Sequence, residues 1–197
     1  GSVHAIAESD TRRMIAYSSV AQIGYIYMGI GLGTQAGMVA AIFHMFTHSA
    51  TKALLFISAV GLYEVSGGRK DYRSLRGAGY RAPLAGMGFA VGSLSMVGFP
   101  MLAGFISKLL FATSALQSPH KMIPTLIALA VSTTRNAIYF LRLVITLYSR
   151  GERSSRRAGS SWKLRAAVLC FILLNLALGL KSQPVVLAIE NGLAMFD

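Results

Sequence analysis

An all-α, polytopic transmembrane helix bundle is the fold class this sequence predicts, and three observations predict it. Of the 197 residues, 54% are hydrophobic and only 13% charged, whereas an ordinary soluble domain carries about 25% charged residues. The charges are also segregated: residues 14–33, 82–107 and 166–180 hold none, and runs of about 20 apolar residues suit a bilayer-spanning helix. Finally, the basic residues cluster in alternate loops, which assigns those loops to one side of a membrane.

Five spans follow in order. The first covers 14–33, after Asp10-Thr11-Arg12-Arg13, an acidic helix start followed by membrane-edge arginines. Its Gly24, Gly29 and Gly31 let neighbouring helices approach closely. Gly33-Thr34-Gln35 turns the chain into the second span, 36–63, whose one fixed charge is Lys52. The third span, 82–117, opens with Pro83 at a helix start. Pro100 lacks a backbone donor and clashes with the preceding turn, so Gly98-Phe99-Pro100 should break this helix in mid-course. Broken backbone at membrane depth persists only where protein or a water-filled cavity satisfies it. The fourth span, 122–149, carries Arg135, Tyr139 and Arg142; Arg142 is near enough to the edge to snorkel, and Arg135 lies deeper. The fifth, 163–181, has no ionisable group at its centre and is expected only to pack. These spans divide the chain into a transmembrane repeat over 1–149, a basic loop over 150–165, and a terminal helix and tail over 166–197. The opening Gly1-Ser2-Val3-His4-Ala5-Ile6-Ala7 reads as the end of a preceding helix, and the chain as a fragment.

The net charge of +12 does not indicate nucleic acid, because its distribution follows the spans. Arg12 and Arg13 precede the first span. Arg69, Lys70, Arg73, Arg76 and Arg81 fill the loop after the second, and Arg150, Arg153, Arg156, Arg157, Lys163 and Arg165 the loop after the fourth. All of these fall on one side, against Lys121 and Lys181 on the other. The positive-inside rule makes the basic side cytoplasmic and places the C-terminus outside. Topology and anionic lipid therefore account for the basic loops. The single cysteine, Cys170, allows no disulfide framework.

The chemistry concentrates on two spans. His44, His48 and Lys52 stand at i, i+4 and i+8, and each step advances only about 40° around a helix, so they share one slowly drifting stripe. Ionisable residues at membrane depth are costly and by default line an ion or proton pathway. Imidazole accepts on one nitrogen and donates from the other, as a proton relay requires. Lys108 lies two turns beyond Pro100, and Ser107 beside it can order water. Arg135 does not deprotonate and so acts as an electrostatic modulator or structural partner. Zinc hydrolysis needs HExxH, but Met45, Phe46 and Thr47 separate the two histidines. Neither clustered cysteines, CxxCH nor a nucleotide motif occurs, so no cofactor and no electron-transfer site is expected.

These residues resemble a known family. Asp10-Thr-Arg-Arg13, Ala16-Tyr-Ser-Ser19 and Gln22-Ile-Gly-Tyr25 are similar to its D-x-K-R…A-Y-S-S…Q-x-G-Y pattern. His44-x3-His48-x3-Lys52-Ala-Leu-Leu-Phe56 is similar to H-x3-H-x3-K-A-L-L-F. Gly98-Phe-Pro100 with Ala103-Gly-Phe-Ile-Ser-Lys108 is similar to G-x-P…A-G-F-x-S-K, and Tyr139-x2-Arg142 fits the helix that follows. The family is that of the antiporter-like membrane subunits shared by respiratory complex I (NADH–quinone oxidoreductase), Mrp-type Na⁺/H⁺ antiporters and membrane-bound hydrogenases.

The resemblance implies the second of two inverted repeats, with a broken helix, plus a terminal helix. It makes Lys108 the broken-helix lysine at the outward exit, with Lys52, His48 and His44 as the central relay. Arg12, at a position where the family has Lys, joins Arg135, Ser107 and Tyr139 as modulators. It implies proton or cation/proton translocation in a bacterial or archaeal cytoplasmic membrane. The implied partners are other membrane subunits of a multi-subunit complex, lipid, protons and, as a second cargo, Na⁺. Any enzyme label, such as NADH–quinone oxidoreductase, belongs to the assembly rather than to a site in this chain. The competing expectation is a structural membrane subunit that does not conduct.

Overall fold

The computed structural model describes residues 1–150 and 161–195, and among them the chain is helical, with one isolated antiparallel bridge between Asp10 and Asp71. The helices are α1 (Ser2–Ala7), α2 (Thr11–Leu32), α3 (Gln35–Val65), α4 (Ala78–Arg81), α5 (Pro83–Val97), α6 (Ala103–Leu116), α7 (Pro119–Leu147), α8 (Trp162–Leu180) and α9 (Gln183–Leu193). Most of the basic loop anticipated over 150–165 lies outside the described residues.

Local chemistry sets the helix ends. Asp10 accepts from the Arg13 N–H (3.0 Å) and starts α2 before the charge-free run begins. Thr34 accepts from the Gly37 N–H (3.1 Å) and starts α3. Between these helices Gly33 takes the left-handed conformation (φ 69°) that stops α2. Pro83 opens α5, and Gly98 (φ 94°) ends it. Residues 98–102 then separate α5 from α6, with Met101 also left-handed (φ 72°). Cations close two further ends. Lys121 donates to the carbonyls of Gly31 (2.8 Å) and Leu32 (3.3 Å) at the end of α2. Arg81 donates to the Val65 carbonyl (2.8 Å) at the end of α3. Both sit where unpaired carbonyls concentrate negative potential. In the loop between α3 and α4, hydrogen bonds from Ser74 hold the Asp71 carboxyl below its ordinary range.

α3 is the centre of the bundle. It packs against α2, α5, α6, α8 and α9, and 31 residues at about 1.5 Å each give it more than the roughly 30 Å of bilayer hydrocarbon. Its inward face (Phe43, Leu54, Leu55, Ala59, Leu62) is fully buried. Among the described residues, α3 and α8 have both the length and the hydropathy of single membrane spans. α5 and α6 are shorter apolar helices separated by residues 98–102; α2 and α7 are long but more polar.

The sequence reading misses α9. Its signal is present: Pro184 in the first turn, then Val185, Val186, Ile189 and Leu193 at helical spacing. That face packs on Val39 and Phe43 of α3. The reading also needs correcting at α8, which does more than pack, because Asn175 is buried at its centre and hydrogen-bonded to α3 and α5.

Candidate functional site

α3 carries the stripe on its buried side. Lys52 is 7% exposed, and its ammonium donates to the Ile15 carbonyl (2.6 Å) and to the Ser18 hydroxyl, both on α2. The Phe140 ring of α7 lies 6.0 Å from the ammonium, a distance at which the ring face still attracts a cation. His48 and His44 follow along the same face, their rings stacked at 5.9 Å between centroids. His44 then reaches across to α6, where its Nδ1 and the Ser107 hydroxyl share a hydrogen bond of 2.6 Å. Tyr25 and Phe111 wall in the His44 ring at 5.4 and 5.5 Å.

Lys108 is half-buried and turns back along α6 toward the interruption. Its ammonium donates to the carbonyls of Met96 (2.6 Å) and Val97 (2.7 Å), the last residues of α5. The helix ends there, so these carbonyls lack helical partners and the lysine supplies them. Gly98 is favoured by its left-handed φ, and its bare Cα leaves room for the Lys108 side chain, whose Cδ would lie 2.9 Å from an added Cβ. On the other side of the Met96 carbonyl, Asn136 Nδ2 approaches at 3.5 Å, and Asn136 Oδ1 accepts from the Tyr139 hydroxyl. Tyr139 thus joins the Lys108 end through Asn136.

The structure therefore brings His48 to His44 and His44 to Ser107, while Lys52 is held by α2 and Lys108 by the end of α5, which Tyr139 reaches through Asn136. It leaves two expected modulators outside. Arg12 is exposed at the start of α2, and Arg135 is exposed on α7, although its neighbours Asn136 and Tyr139 are buried. Several participants escape sequence reading because they are neutral: Ser18, Ser95, Asn136 and Asn175. Their common signal is a polar side chain inside an otherwise apolar span. Gln22 Nε2, Tyr25 Oη, His44 Nε2 and His48 Nδ1 are also buried here without a protein hydrogen-bond partner. No cluster of three or more His, Cys, Asp or Glu able to hold a metal occurs among the described residues.

An all-helical bundle with helices of membrane-span length and ionisable side chains in its interior defines the class, a polytopic membrane protein. The family follows from the sequence itself. Residues 1–135 match the family described as NADH:quinone oxidoreductase/Mrp antiporter, TM, and the chain belongs to it. NADH-quinone oxidoreductase subunit N of Desulforudis audaxviator is 35% identical over 151 residues, covering 77% of this chain and 30% of that protein. A chain of the membrane-bound sulfane sulfur reductase, an archaeal respiratory membrane complex, superposes with TM-score 0.86 at 26% identity, covering 97% of this chain and 38% of that one. A chain of the Mrp complex from Dietzia sp. shares the fold, with TM-score 0.84 at 22% identity over 96% of this chain and 43% of that one. The present chain thus spans less than half the length of each.

Proposed function

We propose that this chain forms the part of a membrane subunit that carries protons, or a cation in exchange for protons, between Lys52 and Lys108. The supporting observation is the bond between His44 and Ser107, which joins the α3 stripe to the helix bearing Lys108. Lys52 passes a proton by way of His48 and His44, whose imidazoles accept and donate on different nitrogens. Ser107 hands it across to α6, and Lys108 releases it on the outward side. Tyr139 and Ser107 tune the ends of this line, while Arg12 and Arg135 act through their fixed charge.

In the same reading, α5 and α6 are the broken helix of the second inverted repeat, residues 1–149 form that repeat, and α8 is the terminal helix. The loops 64–81 and 150–165 face the cytoplasm and the C-terminus lies outside, because the basic residues gather in those loops. The partners are further membrane subunits of a complex I- or Mrp-type assembly in a cytoplasmic membrane, with lipid around it. Protons are the cargo and Na⁺ the candidate counter-ion. No cofactor binds this chain, and redox chemistry belongs to other subunits.

Transport in reconstituted vesicles tests the proposal, using the full-length subunit in its assembly. Lys108→Ala should remove most proton transport per assembled complex. Lys108→Arg should fail as well, because a guanidinium supplies the carbonyls but does not give up its proton. Wild-type transport in Lys108→Ala at normal assembly would leave a structural subunit with a charge packed in its interior.

A further inference from the structure

Asn175 of α8 is fully enclosed, at 0% exposure, and lies at a meeting point of four helices. Its Nδ2 donates to the Phe171 carbonyl one turn back (3.0 Å). That bond fixes the amide's orientation and directs Oδ1 inward. Oδ1 accepts from the Ser95 hydroxyl (3.0 Å) and lies 2.7 Å from the Thr51 hydroxyl. Ser95 Oγ in turn accepts from the Gly104 N–H (3.2 Å) at the start of α6. One amide therefore links the residue before Lys52, the residue before Met96, and the first turn of the helix that carries Lys108.

The Thr51 hydroxyl also lies 2.7 Å from the Thr47 carbonyl of its own helix. It has one hydrogen for two acceptors, so Asn175 competes with α3 for it. A second contact places α8 against the interruption itself. An added Cβ on Gly179 would run into the Met101 carbonyl, and one on Gly104 into the Ser95 carbonyl. Hence backbone meets backbone on both sides of residues 98–102. Asn175 and Gly179 lie beyond the residues 1–135 that match the family.

We propose that Asn175 is a positioning residue for proton transfer. Through Thr51 and Ser95 it holds the Lys52 turn of α3 in register with the helix end that receives Lys108. This inference rests on the Lys52-to-Lys108 path proposed above. Met96 and Val97 follow Ser95 directly, so freeing Ser95 loosens the carbonyls on which Lys108 is seated. Proton transfer tolerates little such displacement, since a shift of about 1 Å costs up to about a hundredfold in rate.

The test measures initial proton-transport rates over a range of pH, with the full-length subunit in its assembled complex in vesicles. Asn175→Leu keeps the side-chain size and removes both polar atoms. It should slow transport about tenfold per assembled complex and displace the pH profile, because the seat of Lys108 moves. Thr51→Val should match it, whereas Thr51→Ser, which keeps the hydroxyl, should transport as the wild type does. The double variant Asn175→Leu/Thr51→Val should be no slower than the slower single one. Wild-type rate and pH profile in Asn175→Leu would overturn the proposal, as would multiplying losses or a Thr51→Ser variant as slow as Thr51→Val. Should Asn175→Leu not assemble, the Thr51→Val and Thr51→Ser rates decide the matter between them. Lys52→Ala and Lys108→Ala, measured alongside, separate the two levels. If both transport normally the path itself falls; if both are inactive while Asn175→Leu is normal, only the role of Asn175 falls.

Discussion

Lys52 and Lys108 are held in opposite ways. Lys52 donates into the interior of a regular helix, to the Ile15 carbonyl, which already accepts from the Ser18 hydroxyl (2.8 Å). Lys108 donates to the ends of a terminated helix, the Met96 and Val97 carbonyls. In that respect Lys108 resembles Arg81 and Lys121, which close α3 and α2. The difference lies in depth: those two serve helix ends at the edges of the bundle, while Lys108 serves a helix end created by the interruption at 98–102. A helix C-terminus carries a partial negative charge of about half an electron, which favours a cation. A change in the charge of Lys108 therefore acts on the backbone of the interruption, whereas a change at Lys52 acts on α2, whose hydrogen bonds are complete without it. This contrast assigns the conformationally responsive end of the proposed path to Lys108.

The contrast should show most strongly in stability. Lys108→Met should leave the Val97 carbonyl without a donor and the Met96 carbonyl with only the long bond from Asn136, at a cost of about 1–3 kcal/mol. Lys52→Met should cost less, because Ser18 continues to serve Ile15 and an apolar side chain is inexpensive at that depth. Thermal unfolding of the full-length subunit in detergent measures both. Equal losses, or a greater loss at Lys52, would break the comparison.

A gentler change sharpens it by fixing the direction of the path. Ser74→Cys gives up only the hydroxyl's hydrogen bonds to the Asp71 carboxylate, keeps the one from its backbone N–H, and should barely alter stability. In intact cells it should resist an impermeant thiol reagent added outside, while His120→Cys, exposed at the opposite end of the bundle, should label readily. Labelling of Ser74→Cys from outside would reverse the assignment of Lys108 to the outward end.

Much of this is legible in the sequence, for identifiable reasons. Charge-free runs and basic loops have no local ambiguity, so the principal helices fall where those runs place them, and Pro83, Gly33 and Gly98 sit at their ends. The stripe His44–His48–Lys52 follows from helical period alone. Its continuation to Ser107 does not, because a contact across 63 positions of sequence depends on how α3 and α6 pack. Asn175 escapes for a different reason. A search for ionisable groups at membrane depth passes over a neutral amide, although its hydrogen bonds make it as specific as a charge. α9 escapes because a run of 11 residues, only partly apolar, is too short for a membrane span. Arg135 shows the converse: its depth draws notice, but sequence does not tell which side of α7 faces the bundle, and the structure turns it outward.

Everything proposed for the interior line depends on His44, His48 and Lys52 serving one ordered chain of proton transfers rather than three separate sites. Members of a connected relay are non-additive, since breaking any link stops the same flow. The decisive experiment is proton transport by vesicles containing the assembled complex with His48→Ala, Lys52→Ala or both, at matched protein content. For a single chain, the double variant transports no more slowly than the worse single variant. Losses that multiply as independent factors, or rates per assembled complex that match the wild type throughout, would contradict the relay and leave the stripe a structural feature of α3.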